Sequence, residues 1–196
     1  MKINGTEIVD TFAEAFPVVG ARVVVTAVNR QWSDTVAHVA TGYATSIISC
    51  DCEAGVERNL EPDETPDGRP GVSLLFFSFG RKGLAKALAN RVGQCVLTCP
   101  TTACYDGLRE EGREVPKDDR LRVGGTLRYF GDSFQVAKRL ERRRFWRIPT
   151  MDGEFLCEDS ISSVKGVGGG NFLIIGASQQ VALEAAERAV RAVREI

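Results

Sequence analysis

Short apolar runs alternate along this chain with segments of helical periodicity, and this alternation constrains the fold more than any other feature. Residues 21–28 are rich in β-branched side chains and predict a strand. After Asn29, apolar residues recur at helical spacing, at Trp32, Val36, Val39 and Tyr43. A second strand is predicted at residues 44–49. Strand and helix therefore follow each other from the start.

The same pattern continues to the end of the chain. Residues 72–79 predict a buried strand, and residues 83–92 predict an amphipathic helix. The polar stretches 59–70 and 106–120 predict turns and an exposed excursion. Further strands are expected at residues 121–130, 143–149, 153–161 and 171–175. The last helix is capped by Ser178 and has an apolar stripe at Val181, Ala185, Ala189 or Val190, and Val193.

Alternating helices and strands of this kind favour an α+β fold. We expect a ferredoxin-like sandwich, with an antiparallel sheet and helices packed on one face. A doubly wound sheet is the alternative, and it requires ligand-binding glycines between a strand and a helix. The glycine cluster at 166–170 leads instead into a predicted strand, and it lacks both the dinucleotide fingerprint and the P-loop ending. Nucleotide binding is therefore not expected.

Composition limits the classes of partner. A net charge of −1 over 196 residues argues against bulk nucleic-acid binding. No apolar run approaches the roughly 20 residues that cross a bilayer, and the first residues lack the hydrophobic core of a signal peptide. We therefore expect a cytoplasmic protein with reduced thiols that binds neither nucleic acid nor membrane.

Three of the six cysteines, Cys95, Cys99 and Cys104, lie within ten residues. Their spacing does not match the paired ligands of zinc sites or the run of an iron–sulfur protein. We interpret them as small buried residues and expect no metal site. Pro100 disfavours helical backbone at Cys99, so a turn is expected, with Thr101 or Thr102 capping a helix at 105–108.

Charged and titratable side chains give weaker indications. A basic cluster is typical of a solvated face or a subunit contact, and binding of phosphates or carboxylates is the alternative. Its members are Lys138, Arg139, Arg142, Arg143, Arg144 and Arg147. The single histidine, His38, lies off the apolar face of its predicted helix, so we expect it to be exposed.

Several short motifs, in order along the chain, resemble one known family. They are Asn4-Gly5, residues 10–17, Glu53-Ala54-Gly55, residues 65–71, residues 93–103, Phe130-Gly131-Asp132, Ile148-Pro149, Gly153-Glu154-Phe155, Lys165-Gly166-Val167 and residues 169–172. The chain resembles the formylmethanofuran:tetrahydromethanopterin formyltransferases, including the related subunit of the bacterial formyltransferase/hydrolase complex.

The resemblance implies a two-lobed α+β subunit, assembled as a homotetramer. It implies transfer of a formyl group between the co-substrates methanofuran and tetrahydromethanopterin, without a metal or permanently bound cofactor. We expect residues 1–150 to form a proximal lobe and residues 151–196 to begin a distal lobe. Because the family's subunits are longer, we expect this second lobe to be incomplete and the family's catalytic acid to lie beyond Ile196.

Formyl transfer places developing charge on a carbonyl oxygen, which each preorganised donor stabilises by about 3 to 4 kcal/mol. A glycine loop predicts such donors, and a β-bulge without a ligand is the alternative. Its residues are Gly168, Gly169, Gly170 and Asn171. A second predicted substrate contact is the turn of Cys99, Pro100, Thr101 and Thr102, which offers hydroxyl groups and a fixed backbone.

Three charged residues complete the candidate site. Asp10 and Glu14 are four residues apart and share a face if this stretch is helical, which makes them acid–base candidates. Helix capping and a favourable dipole interaction are the preferred interpretation of both. Arg69, in a turn stiffened by proline and glycine, is expected either to pair with a substrate carboxylate or to be simply exposed.

Three functional hypotheses follow. The first is a formyltransferase, the second is an assembly subunit without chemistry, and the third is a metal protein. Cys99 as a covalent formyl carrier needs a nearby base, and the sequence places none beside it.

Overall fold

The computed structural model describes residues 1–11, 15–42, 50–109, 115–140, 142–151, 153–169 and 173–195. Its strands are β1 Lys2–Ile3, β2 Thr6–Glu7, β3 Phe16–Thr26, β4 Glu53–Leu60, β5 Gly71–Ser78, β6 Ala103–Asp106, β7 Arg120–Leu121, β8 Val136–Leu140, β9 Arg143–Thr150, β10 Gly153–Glu158, β11 Ile161–Ser162 and β12 Val164–Gly168. Its helices are α1 Arg30–Thr41, α2 Arg81–Arg91, α3 Val123–Leu127 and α4 Gln179–Val193. The chain divides into a larger unit, Phe16–Gly168, and a smaller one, Met1–Ala15 with Gly169–Ile196.

Strand β3 organises the larger unit because it pairs with three other strands. Strand β5 runs antiparallel along one side of it, from Val19 to Thr26. On the other side, β12 pairs with the first half of β3 and β6 pairs with the second half. With β4 outside β5, the four strands lie in the order β4-β5-β3-β6. Together with α1 and α2 this is the β-α-β-β-α-β arrangement of a ferredoxin-like fold, so that prediction is confirmed.

The sheet continues beyond the ferredoxin-like part. Strand β10 lies parallel to β6, and β9 and then β8 follow it in antiparallel pairing. The sheet is therefore largely but not wholly antiparallel. The hairpin of β9 and β10 spans residue 150, so the larger unit continues across this position. The expected boundary between two lobes at this residue remains a prediction.

The main core lies between the sheet and the helices. Alternate residues of β3 and β5, such as Val23 and Leu74, face α1 and α2 and are fully buried. Helix α1 starts at the cap Asn29, whose side-chain oxygen accepts a hydrogen bond from the amide of Trp32 at 3.0 Å. The helices therefore cover one face of the sheet, as predicted.

The opposite face of the sheet is covered by long charged side chains. In its centre, the rings of Tyr105 and Phe145 meet edge to face with centroids 6.0 Å apart. The guanidinium carbon of Arg143 lies 5.3 Å from the Phe145 ring centre, and the same guanidinium pairs with Glu158. Two further ion pairs, Arg147–Glu154 and Arg22–Glu57, lie on this face. The aliphatic stem of Arg143 helps to keep water from the Phe145 ring.

Glu158 is the most deeply buried charge in this layer, with 1% of its surface exposed. Its carboxylate accepts hydrogen bonds from the Arg143 and Arg109 guanidinium groups and, at 3.0 Å, from the backbone amide of Asp106. Burial raises the pKa of the neighbouring Asp106 carboxyl above its usual range, and the nearby Glu158 charge adds to this shift. Such a buried carboxylate is tolerated only with partners on every side.

Several sequence predictions are wrong, and tertiary pairing explains the differences. Residues 105–108 do not form a helix capped by Thr101 or Thr102, because β6 is inserted between β3 and β10. Residues 121–130 are not one strand: α3 follows β7, and Gly124 brings α3 against the Glu158 carbonyl. Residues 173–175 have no regular structure. The predicted strand 44–49, Tyr43 and residues 171–172 lie outside the described residues.

The smaller unit contains three elements of regular structure in its described residues, β1, β2 and α4. Strands β1 and β2 form a hairpin whose turn, Asn4-Gly5, has positive φ at both residues, as such tight turns require. Helix α4 begins after Ser178, whose hydroxyl accepts a hydrogen bond from the Val181 amide, so the predicted cap is confirmed. No residue of α4 is buried. None of the described helices is long and apolar enough to span a membrane.

Two glutamates on β10 allow a matched test of the charged layer. Glu158→Gln leaves Arg143 and Arg109 without a buried counter-charge, so we expect it to lower the free energy of unfolding by about 3 to 5 kcal/mol. Glu154→Gln removes an exposed pair on the same strand and should cost less than about 1 kcal/mol. Urea unfolding measures both. Equal losses of unfolding free energy in the two variants would contradict the deep burial of Glu158.

Gly124 supplies a second test. An added Cβ there lies 2.2 Å from the Glu158 carbonyl oxygen, whereas one at Gly55 in β4 meets nothing within 4 Å. Alanine normally stabilises a helix relative to glycine by about 1 kcal/mol. We expect Gly124→Ala to destabilise instead, by about 2 kcal/mol. Gly55→Ala should cost nothing in the same unfolding experiment, and a stabilising Gly124→Ala would refute the close packing.

Candidate functional site

Two local distortions shape the cysteine-rich segment, a π-helical turn and, further along, a left-handed backbone conformation at Thr101. A π-helical turn, Val92–Val96, follows α2, and the amide of Leu97 donates to the Val92 carbonyl at 2.8 Å. π-turns of this kind occur frequently at functional sites. An added Cβ at Gly93 would lie 2.8 Å from the Leu127 side chain, so glycine permits α3 to pack here. The chain then turns at residues 97–102, which we call the Thr101 turn.

Thr101 itself adopts an uncommon backbone conformation. Its φ is +65°, in the left-handed region that a β-branched residue rarely occupies. Its hydroxyl oxygen accepts a hydrogen bond from the Val28 amide at 3.1 Å, just beyond the end of β3. Its carbonyl oxygen accepts one from a guanidinium nitrogen of Arg69. The structure therefore brings together two of the predicted contacts, the turn and Arg69.

Arg69 is held by a carboxylate from its own loop. Its Nε and Nη2 atoms donate to one oxygen of Asp67 at 2.9 and 2.7 Å, and Nη2 also donates to the Thr26 hydroxyl at 3.0 Å. With Nη1 on the Thr101 carbonyl, these contacts use four of the five N–H groups of an arginine. The described contacts leave one N–H of Nη1 for a ligand. The predicted pairing of Arg69 with a substrate carboxylate would depend on that group.

Asp67 is the centre of this cluster, which we call the Asp67 cluster: Asp67, Arg69, Thr26, Tyr105 and Thr101. The same carboxylate oxygen that accepts from Arg69 accepts from the hydroxyls of Thr26 and Tyr105, at 2.7 and 2.9 Å. The loop is joined to the end of β3 by the Ala27 amide, which donates to the Pro70 carbonyl at 3.0 Å. The Asp67 side chain is only 22% exposed.

The electrostatics of the cluster follow from this burial. Burial alone raises the pKa of Asp67, but the hydrogen bonds from Arg69, Thr26 and Tyr105 together outweigh it, so the pKa lies below its usual value. Burial, the Asp67 charge and its hydrogen bond raise the pKa of Tyr105. At neutral pH the cluster therefore holds an ionised Asp67 and a neutral Tyr105.

The other members of the Thr101 turn differ in accessibility. Thr102 is 3% exposed, and its hydroxyl lies 2.6 Å from the Val96 carbonyl oxygen and 3.0 Å from that of Cys99. It therefore stabilises the turn from within. Cys99 is half-buried against the main core, whereas Pro100 is exposed. Of the four residues predicted to contact substrate in this turn, Pro100 and Thr101 are therefore the exposed ones.

The glycine loop lies elsewhere in the fold. Gly168 is opposite Phe16 at the first residue of β3, whereas Thr26, in the Asp67 cluster, is its last residue. Ten residues of extended strand separate these ends by roughly 33 Å. Within one chain, Gly168 and the Thr101 turn therefore cannot contact the same carbonyl group. Gly169 has a φ of +92°. Gly170 and Asn171 lie outside the described residues.

The remaining candidates lie in other segments of the chain. Asp10 is exposed in a segment without regular structure, and Glu14 lies outside the described residues. His38 is exposed on α1, as predicted. In the basic cluster, Arg143 and Arg147 pair with glutamates of β10, and Arg144 lies 4.7 Å from the Trp146 ring centre.

The cysteines pack mainly as apolar residues. Cys104 and Cys157 face each other on β6 and β10 and are buried, and their hydrogen bond and burial raise the pKa of Cys157. Burial also raises the pKa of Cys95. Within the described ranges, no three His, Cys, Asp or Glu side chains are grouped closely enough to hold a metal ion.

Sequence reasoning missed Asp67, Tyr105 and Thr26 as parts of the site. The sequence places Asp67 in a turn and in one of the family motifs, and it predicts a helix at Tyr105, but neither prediction gives these side chains a role in the site. The available signal was an acidic residue two positions before Arg69 in a rigid turn, which allows a carboxylate to hold the guanidinium group.

Comparison with known proteins identifies the relatives of this chain. Residues 1–150 match the family model described as "Formylmethanofuran-tetrahydromethanopterin formyltransferase". The chain belongs to this formyltransferase family. A second family model, described as "FTR, proximal lobe", matches residues 153–196. It attaches the term proximal to the C-terminal segment, whereas the sequence analysis used it for residues 1–150.

Individual relatives agree with this assignment. The formylmethanofuran–tetrahydromethanopterin formyltransferase of Methylococcus capsulatus is 56% identical over 196 residues, which are 100% of this chain and 63% of the relative. A chain in the crystal structure of the formyltransferase/hydrolase complex from Methylorubrum extorquens, in complex with methylofuran, is 52% identical with a TM-score of 0.90. The match covers 99% of this chain and 63% of that one.

A second solved structure confirms the α+β fold. The formyltransferase from Methanosarcina barkeri is 46% identical with a TM-score of 0.85, over 99% of this chain and 63% of the other. This chain thus spans about 63% of the length of the formyltransferases that it matches.

The lowered pKa of Asp67 predicts a pH-dependent stability. A carboxyl with a lowered folded pKa contributes stability that is fully present above its unfolded pKa, near 4, and is lost as pH falls through the folded pKa. We expect Asp67→Asn to cost about 2 kcal/mol at neutral pH and progressively less below about pH 4. Urea unfolding of both proteins across this range measures the difference.

The control for this experiment is Asp63→Asn, an exposed carboxylate in the same loop. Its stability should follow that of the wild type at every pH. A constant difference between the wild type and Asp67→Asn down to the lowest pH would contradict the assignment.

Proposed function

We propose that this protein transfers a formyl group between methanofuran and tetrahydromethanopterin. The observation that carries the proposal is 56% identity to a named formyltransferase along the entire chain. The ordered Thr101 turn adds a structural reason, because a rigid turn suits the alignment of two bulky carriers. Such alignment supplies a large part of the rate enhancement of transfer reactions.

The chemistry assigns different tasks to the two ends of β3. When the pterin amine attacks the formamide carbonyl, negative charge develops on the oxygen and requires preorganised donors. We assign the contact with a carrier to the exposed part of the Thr101 turn, Pro100 and Thr101. The glycine loop that begins at Gly168 remains the proposed source of backbone donors. Asp10 and Glu14 remain candidates for proton transfer.

The remaining features of the family enter as parts of the same proposal. We infer a cytoplasmic homotetramer that works without a permanently bound cofactor, and in which Arg69 and Thr102 support the turn. Residues 1–150 and 151–196 are proposed to belong to different lobes.

A second function is a non-catalytic subunit that assembles into a formyltransferase/hydrolase complex. It is supported by the match to a chain of such a complex at 52% identity. In this case the protein should bind partner subunits and show no turnover alone.

The test is a transfer assay with formylmethanofuran and tetrahydromethanopterin, in which formyl-tetrahydromethanopterin is detected by mass spectrometry. We expect Thr101→Ala to lower kcat/KM about tenfold, equivalent to about 1.4 kcal/mol of transition-state stabilisation. Gly168→Ala tests the opposite end of β3, and Glu154→Gln is the surface control.

Three results are informative. Transfer that falls in Thr101→Ala and not in Glu154→Gln supports the proposal. Absence of transfer, together with co-purification of hydrolase-complex subunits, supports the assembly function instead. Transfer that is unchanged in both Thr101→Ala and Gly168→Ala would overturn the assigned contacts.

A further inference from the structure

A strained backbone at Thr101 requires an explanation. A non-glycine residue in the left-handed region is energetically unfavourable and persists only where its surroundings impose it. The strain is larger for threonine than for most residues because its Cβ is branched. Something in the fold must therefore hold this residue against its own preference.

Two of the described hydrogen bonds help to hold Thr101 in place. The Val28 amide donates to its hydroxyl at 3.1 Å, and Arg69 donates to its carbonyl oxygen. The Val28 amide is fixed by the end of β3, but Arg69 lies on a long, flexible side chain. An arginine can hold a carbonyl in one place only if its own guanidinium is fixed.

Asp67 fixes that guanidinium. One carboxylate oxygen of Asp67 accepts from Nε and Nη2 of Arg69, and the hydroxyls of Thr26 and Tyr105 position the same oxygen. Its other oxygen lies 3.3 Å from the Arg69 backbone amide. Both ends of Arg69, side chain and backbone, are therefore oriented by one residue.

We propose that Asp67 is a positioning residue for formyl transfer, which holds the Thr101 turn in its left-handed conformation through Arg69. The inference rests on the proposed function for its catalytic consequence, but the conformational role belongs to the fold alone. Asp67 touches no substrate in this account. Its effect passes through the guanidinium to the Thr101 carbonyl.

Asparagine at position 67 is the appropriate change because it keeps the shape and removes the charge. All the side-chain donors converge on one oxygen, and the backbone amide of Arg69 faces the other. Whichever way the asparagine amide is oriented, its NH2 group faces a donor. Asp67→Asn should therefore release Arg69.

The first measurement is hydrogen exchange of the Val28 amide, which donates to the Thr101 hydroxyl. We expect Asp67→Asn to accelerate it at least about tenfold, while the Val23 amide in the middle of β3 is unchanged. Asp63→Asn changes the same charge in the same loop and should leave both amides as in the wild type. Unchanged Val28 exchange in Asp67→Asn would overturn the proposal.

The second measurement is a double-mutant cycle with Thr101→Gly. Glycine reaches positive φ without strain, so a turn with glycine at this position no longer depends on Arg69. We expect Asp67→Asn to lower kcat/KM about tenfold with threonine at 101 and less than about threefold with glycine there. Equal losses in both backgrounds would refute the positioning role.

The two measurements separate this inference from the proposed function. If the protein transfers no formyl group, the proposed function fails, and the exchange of the Val28 amide still decides whether Asp67 holds the turn. If transfer occurs and the cycle shows no coupling, the function stands and the positioning role fails.

Discussion

The pairing of β3 with three neighbouring strands is the constraint on which the larger unit depends. Strands β5, β6 and β12 all take their register from this one strand. A slip by one residue would move Val23 and Val25 from the buried core to the charged face. The same register brings Thr26 to the loop of Asp67 and places Phe16 opposite Gly168. Strand β3 therefore determines the core and the positions of both candidate sites.

Different interactions cover the two faces of the sheet. Helices bury apolar side chains on one face, where the free-energy gain scales with the area removed from water. On the other face, arginine and glutamate pairs lie beside Tyr105 and Phe145. Desolvation of these charges offsets much of their attraction, so the ion pairs add little net stability although loss of one partner is costly. The Asp67 cluster lies at the border of this charged layer, where a carboxylate is shielded yet a turn remains exposed.

Local patterns were sufficient for much of the fold. Helix α1 with its Asn29 cap, strand β5 and helix α4 follow from periodicity and capping chemistry, because each depends on its own residues. Strand β6 and helix α3 could not be predicted in this way. Strand β6 has four residues and exists because β3 and β10 accept it, and α3 depends on a glycine contact with a distant strand.

In the candidate site, too, some features follow from local sequence and others depend on contacts between distant segments. Arg69 and the Thr101 turn were recognised from their local chemistry, because proline, glycine and threonine mark a rigid turn. Their contact was not predictable, since 32 residues separate them along the chain. Asp67 and Tyr105 were missed for the same reason: their significance appears only when the loop, β3 and β6 converge. Conversely, the composition of the glycine loop made a substrate contact plausible, but the length of β3 separates its first residue, Gly168, from the turn.

Strand β8 has a consequence for how the molecule behaves among other copies of itself. It is the last strand of its side of the sheet and pairs only with β9 among the described residues. Its outer backbone groups would offer a template for sheet growth, as any open edge does. Antiparallel pairing of two copies about Lys138 would bring like charges together at the centre of the junction. The basic residues of this strand thus disfavour edge-to-edge pairing of two copies along β8.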